Sequence, residues 1–408
     1  MAHPAASQSA SSPLCLEADV HQVLEKAKEI LAVLVAFKSH SGESNLDMIG
    51  YIEDLLATDG VKAMLSYDET GEKANLFAVI GPEVEGGILL NGHTDVVPTE
   101  GQDWSSDPYT LIERDGRLFG RGSVDMKGFL ACMLAMVPHF KQVKLSRPIL
   151  ISVCYDEEIG GFGAPVLARD IIERGPKPAV AIVGEPTQMH LVNGHKAGYE
   201  LRTDFTGFAA HASDPRKGVS AIEVAARYVN KIIELADRCS INPDLQTPFE
   251  PPYTSFNVGK IEGGVARNIT ANHCSIDWEL RPIPSDDGRV LLAELQYFCD
   301  TELLPAMRET YADASIVTTI EADVPPLWAD EASAAVQFLR RVTGINMSEV
   351  VSFGTDAGHF ERAGISSVVF GPGSIDQAHK PDEYIELSEL SKCLSFLRDV
   401  AADLEEVD

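Results

Sequence analysis

Apolar runs near 75–80, 87–92, 148–155 and 179–184 alternate with helical segments at 127–141 and 164–174. That alternation constrains the fold more than any other feature. Apolar strands joined through helices pack as an α/β sheet buried on both faces. Open sheets of this kind bind ligands at their strand ends. Three of the four runs end in reactive residues: Asn-Gly-His-Thr-Asp (91–95), Asp-Glu-Glu-Ile-Gly-Gly (156–161) and Gly-Glu-Pro-Thr (184–187). Two helices precede the sheet, one over 19–38 with Val20, Val23, Leu24, Ala27, Ile30, Leu31 and Leu34 on one stripe, and one over 46–58.

The alternation is interrupted once. From about 194 the pattern predicts a strand over Lys196–Thr206, a helix over 219–238, strands at 254–262 and 269–281, a helix near 287–308 and a strand at 314–321. The order βαββαβ is the ferredoxin-like split motif, compact enough to stand alone. After Pro325-Pro326 the first pattern resumes, with a helix near 330–343, strands at 349–353 and 366–370, and a last helix at 387–405. A small domain is therefore expected inside a larger one, in keeping with 408 residues, a length at which single cores usually divide.

Composition narrows the function. Acidic residues outnumber basic ones by 62 to 33, for a net charge of −29. Such a field repels phosphate backbones and argues against a nucleic-acid partner. It suits a cationic substrate, although acidity also serves solubility alone. No apolar stretch approaches the roughly 18 residues of a membrane span. Seven cysteines, at 15, 132, 154, 239, 274, 299 and 393, have no paired spacing. They read as free thiols of a reducing compartment. Residues 1–14 lack the basic and apolar regions of a signal peptide, so a loose, cytoplasmic N-terminus is expected.

Each reactive residue has a plain reading when taken singly. His93 and Asp95 could share a structural hydrogen bond, and Asp125 in Arg-Gly-Ser-Val-Asp-Met-Lys-Gly could cap a helix. Glu157 and Glu158 could form a solvated acidic turn, Glu185 a loop cap, and His379 a solvated loop histidine. Together they say more. His93, Asp125, Glu158, Glu185 and His379 are ligand types suited to zinc, gathered in strand–loop contexts. Adjacent strand residues point to opposite faces, so Glu157 and Glu158 reach one site only where Gly160-Gly161 breaks the strand. Two crowded glutamates repel unless cations neutralise them. The set holds one carboxylate more than two metal ions need, and a spare carboxylate is a natural general base.

The runs NGHTDVVP, GRGSVDMKG, DEEIGGFG, VGEPT, GFAAHAS and SFGTDAGHF are jointly specific. On them the chain resembles the M20 family of co-catalytic metallopeptidases and amidases, over about 88 to 388. The resemblance implies a zinc-peptidase-like catalytic domain with a mixed, helix-covered sheet, formed by 1–193 and 324–408. The inserted ferredoxin-like segment, 194–323, would serve as dimerisation and lid domain of a homodimer. It further implies two zinc ions per subunit, with cobalt as a substitute, bridged by Asp125. His93 and Glu185 would complete one ion, and Glu158 and His379 the other. Glu157 would be the general acid/base and Asp95 the partner that orients His93. By the same resemblance His211 holds the substrate carbonyl, in some members across the dimer. Arg281 and Asn268 take the substrate carboxylate, and Gly354 and Thr355 supply backbone donors. The implied substrate is a small N-acyl amino acid. A non-catalytic metal-binding chain is the competing class, but such a protein needs the ligands without Glu157.

Overall fold

A computed structural model describes residues 13–406. Residues 1–12, most of the expected loose terminus, lie outside the described residues, whereas Pro13 and Leu14 begin helix α1 (Pro13–Ala36). Helix α2 (Leu46–Thr58) follows, then strands β1 (Ala63–Tyr67), β2 (Ala74–Ile80) and β3 (Ile88–His93), helix α3 (Gly128–Ala135), strand β4 (Ile149–Cys154), helix α4 (Gly163–Arg174), and strands β5 (Val180–Val183) and β6 (Val192–His195). After a long excursion the chain returns with β11 (Leu327–Trp328), α7 (Ala334–Thr343), β12 (Glu349–Val351), α8 (Ala357–Arg362), β13 (Ser366–Val369) and α9 (Leu387–Asp403).

These strands form one mixed sheet in the order β1-β2-β4-β3-β5-β13-β6-β11, with β12 also paired to β6. Its centre, β4-β3-β5-β13, is parallel. Every residue of β3, β4 and β5 is buried, as continuous apolar runs require. Alternate residues serve opposite cores. Ile88, Leu90, Ile149 and Ile151 pack with residues of α1, α3 and α9 on one face. Leu89, Leu150 and Ala181 pack with residues of α4 and α8 on the other.

The excursion builds its own sheet: β7 (Gly198–Thr206), α5 (Ala221–Ile241), β8 (Ser255–Gly263), β9 (His273–Arg281), α6 (Gly288–Phe298) and β10 (Ser315–Val324). The strand order is β8-β9-β7-β10, all antiparallel. Helix α5 begins at Ser220, whose hydroxyl accepts the N–H of Glu223 at 3.3 Å. Its apolar stripe, Ala225, Tyr228, Ile232 and Leu235, joins Leu201, Phe205, Ile276 and Trp278 in a core separate from that of the large sheet.

Several details depart from the sequence reading. The helix expected over 127–141 is two, Gly128–Ala135 and Val137–Gln142, with Pro138 near the start of the second. Proline lacks the N–H that would continue the first helix. Strands β1, β6 and β11 and helix α8 were not anticipated, being short or only partly apolar. Gly184, just past β5, shows how tightly the layers meet. A Cβ built there would lie 2.1 Å from the Phe129 ring of α3. Gly184→Ala is therefore expected to destabilise the protein by about 1–3 kcal/mol through overpacking, read as a lower midpoint in calorimetric unfolding.

Candidate metal centre

The parallel strands deliver their C-terminal ends side by side. β3 ends on His93, β4 runs into the 155–161 turn, and β5 stops two residues before Glu185. The turn is built as its glycines suggested. Asp156, Gly160 and Gly161 all have positive φ, at 56°, 126° and 68°. Asp95 fixes it: its Oδ1 accepts the N–H of Glu157 at 3.0 Å and its Oδ2 that of Glu158 at 3.1 Å. Ser41 Oγ donates to the same carboxylate at 2.8 Å. The role expected for Asp95 is thus divided. Its backbone oxygen lies 2.9 Å from His93 Nδ1, while its carboxylate, 3.6 Å from that nitrogen, is spent mainly on the two glutamates. With Nδ1–H donated to that carbonyl, Nε2 of His93 is left free to bind a cation.

That Nε2 lies 3.1 Å from Asp125 Oδ1 and 3.7 Å from Glu185 Oε1. The other Asp125 oxygen lies 3.3 Å from His379 Nε2, which is 3.0 Å from Glu158. Asp125 thus stands between the two histidines. Two sets have ligand atoms all within 4.8 Å of one another: His93, Glu157 and Glu185, and His93, Asp125 and Glu158. The first includes Glu157, which the sequence reading had kept apart from the ligands. Glu185 Oε1 is buried with no hydrogen-bond partner. An orphaned carboxylate oxygen facing an imidazole nitrogen and further carboxylates fits a divalent cation, and the donor set of nitrogen and oxygen atoms suits zinc.

Protein charges alone make the site cation-seeking. Burial pushes Glu157 well above the ordinary carboxylate range, and the neighbouring Glu185 charge adds to this. Glu185 moves the same way, through burial and then Asp125. Burial, with Asp125 next, pushes Glu158 up to about 7. Burial opposes ionisation of Asp125 too, but hydrogen bonds from His379 and His93 outweigh it and hold the carboxyl below the usual range. Hydrogen bonds to Asp125 and Glu158 push His379 up to about 10.

Two residues that sequence reasoning missed hold this arrangement in place. Glu383 Oε1 accepts the N–H groups of Val124 and Asp125 at 3.0 and 3.2 Å. Its Oε2 accepts from Arg121 Nη1 at 2.6 Å, and both side chains are almost wholly buried. Arg121 Nη2 donates to Gln102 Oε1 at 2.6 Å, and Gln102 Nε2 donates to the His379 carbonyl at 3.1 Å. His379 itself sits at φ 62°, a left-handed backbone held by its surroundings. The available signal was an arginine placed between the glycines of Gly-Arg-Gly-Ser-Val-Asp, where a solvated side chain has little reason to be.

Asp125, Glu157, Glu158, Glu185 and His379 form the floor of a cavity of about 290 Å³. Arg281 and Gly354 line it, together with Glu200 and Glu279, which the sequence reading did not single out. Thr355 does not line it. It is buried, and its hydroxyl accepts the N–H of Ala357 at the start of α8, a consequence of its place just before a helix. His211 and Asn268 also lie outside that lining, as neighbours on the inserted unit. The Ala212 N–H donates to Asn268 O at 3.1 Å, and His211 Nδ1 is 2.8 Å from Ser213 Oγ. Both side chains are exposed. Glu383→Ala is expected to leave the Arg121 charge uncompensated, costing about 3–5 kcal/mol of stability. It should also weaken binding of an added divalent metal about 10- to 100-fold; calorimetric unfolding and metal titration read the two effects.

Residues 89–403 match the profile of Peptidase family M20/M25/M40. An acetylornithine deacetylase of Shigella sonnei is 34% identical over 365 residues, 88% of this chain and 92% of that protein. An M20 family metallo-carboxypeptidase of Sulfolobus solfataricus superposes with TM-score 0.72 at 17% identity, covering 92% of this chain and 98% of its own. A dinuclear metal-binding peptidase of the same family from Bacillus subtilis superposes with TM-score 0.60 at 13% identity, over 96% and 100%. The strand-end site, the mixed sheet and the profile agree: the chain belongs to the M20/M25/M40 peptidase family.

Proposed function

We propose that this chain is a two-metal amidohydrolase that removes the acyl group from an N-acyl amino acid. N2-acetyl-L-ornithine is the first substrate to consider, converted with water to L-ornithine and acetate. The observation that carries the proposal is Glu157, whose carboxylate reaches the His93–Glu185 group yet remains over when the two ions are assigned His93, Asp125, Glu158, Glu185 and His379. The name of the 34% identical relative supports the substrate. Bound between these residues, two zinc ions, or cobalt in their place, would supply Lewis acidity that brings the pKa of a coordinated water from about 15.7 toward about 7. His93, Asp125, Glu158, Glu185 and His379 would hold them.

Glu157 then has two tasks. Its carboxylate takes a proton from the water whose oxygen attacks the acyl carbonyl carbon. As the C–N bond breaks, it returns a proton to the departing nitrogen. Burial moves Glu157 above the ordinary carboxylate range, the direction that suits a group that holds and returns a proton. Arg281 takes the substrate α-carboxylate, and the backbone at Gly354 offers a donor beside it. Because His211 and Asn268 lie outside their own cavity lining, we assign them to the site of a second copy, joined through the segment 194–323. The exposed outer strand β8 supports such pairing. No helix of the described residues is long and apolar enough to cross a membrane. The free cysteines among them favour a cytoplasmic setting.

The protein loaded with zinc or cobalt is expected to release ornithine from N-acetyl-L-ornithine, and a chelated sample is not. Turnover of succinyl-diaminopimelate or a dipeptide instead would keep the mechanism and change the substrate. Glu157→Gln should retain its metal by elemental analysis yet lose about 10²- to 10⁴-fold in kcat; parental turnover would refute the role. His211→Ala should lower kcat while metal content stays at the parental level.

A further inference from the structure

The cavity wall contributed by the inserted sheet carries an unbalanced charge. Glu200 on β7 and Glu279 on β9 are direct cross-strand partners, and both line the cavity above the metal centre. Like charges in directly opposed positions destabilise a sheet, so the pair is not there for stability. One of the two is neutralised. Arg281 Nε and Nη2 both donate to Glu279 Oε2, at 3.1 and 2.8 Å. Glu200 has neither an ion pair nor a side-chain hydrogen bond among the described residues. The nearest cation along its own strand, Arg202, is taken by Asp204 and Asp277, at 3.2 and 3.0 Å. On the floor of the same cavity the buried Glu185 Oε1 has no hydrogen-bond partner, which marks the floor as a cation site. Metal ions would satisfy the floor but leave Glu200 untouched.

The spacing fits one class of molecule. A Cβ built on Gly198 would lie 3.9 Å from Arg281 Nη1, the one guanidinium nitrogen that Glu279 does not engage. Gly198 and Glu200 are two apart on one strand, hence on one face and roughly 7 Å from each other. In an extended ornithine, the five bonds from the α-carboxyl carbon to the side-chain nitrogen span roughly 6 Å. A carboxylate held at Arg281 therefore places a primary ammonium, three methylenes beyond the α-carbon, at Glu200.

We propose that Glu200 accepts the terminal ammonium of the substrate and makes the site selective for N-acyl amino acids with a cationic side chain. The proposal rests on the amidohydrolase reading above. Its test compares kcat/KM for N-acetyl-L-ornithine with that for the neutral N-acetyl-L-norvaline, using zinc-loaded parent, Glu200→Gln, Glu200→Lys and Glu234→Gln. Glu234 lies on helix α5 of the same inserted unit, exposed and paired with Lys231, and serves as control. Glu200→Gln should lower the ornithine-to-norvaline ratio about 10- to 100-fold, mainly through KM, with parental metal content and melting temperature. Glu200→Lys should turn the preference toward N-acetyl-L-glutamate, and Glu234→Gln should keep the parental ratio. An unchanged ratio in Glu200→Gln, from a parent that hydrolyses both substrates, overturns the proposal and leaves the hydrolase intact. A parent that hydrolyses neither removes acetylornithine as the substrate and leaves the hydrolase reading to the succinyl-diaminopimelate and dipeptide assays. Calorimetric titration with L-ornithine then decides alone: weaker binding by Glu200→Gln supports Glu200 as the ammonium acceptor, and equal Kd overturns it.

Discussion

Four carboxylates, Asp125, Glu157, Glu158 and Glu185, converge at the ends of three parallel strands with two imidazoles between them. Burial penalises every one of those charges. Such a cluster is tolerable only when positive charge is drawn into it, and that requirement organises the rest of the molecule. The sheet has to be buried on both faces to desolvate the cluster. The layers around it have to meet closely enough that a glycine is needed beside Phe129. The histidines have to present their Nε2 atoms inward, which Asp95 O arranges for His93 and the strained loop backbone arranges for His379.

Rigidity at the centre comes from groups that never face the cavity. One carboxylate, Asp95, clamps the turn from which both glutamates project. A second, Glu383, clamps the backbone of Asp125 and is itself held by Arg121. Through Gln102, the same guanidinium reaches the carbonyl of His379. Segments more than 200 residues apart in the chain are thereby fastened to one buried cation. The bonds that Asp95 makes to the turn, and those Glu383 makes to the Asp125 backbone and to Arg121, run from a charged side chain to a backbone group or another charge, the stronger kind of hydrogen bond.

The large sheet and the gathering of the candidate ligands at its strand ends were legible because they rest on local pattern. Apolar runs such as Ile149–Cys154 announce buried strands, and reactive residues directly after them announce a strand-end site. The βαββαβ order was legible for the same reason. Less legible were features decided by contact between distant segments. Nothing near Arg121 shows that it meets Glu383, and nothing near Glu200 shows that Glu279 will lie across from it. At Gly354-Thr355 only the glycine lines the cavity, and the threonine hydroxyl accepts the N–H of Ala357 where the next helix begins. For Asp95 the pattern identified the residue but not its principal duty, since the turn it secures lies sixty residues downstream.

The point of insertion has a consequence of its own. The chain leaves the large sheet at His195 and rejoins it at Leu327, and these two residues are hydrogen-bonded neighbours on adjacent strands. For the large sheet the whole intervening segment therefore amounts to a single closed loop. The entropy of closing a loop grows only with the logarithm of its length. Material can be added to or removed from that segment at little cost to the sheet. The cavity wall that carries Glu200 and Glu279 is thus free to diverge while the floor of carboxylates and imidazoles stays fixed.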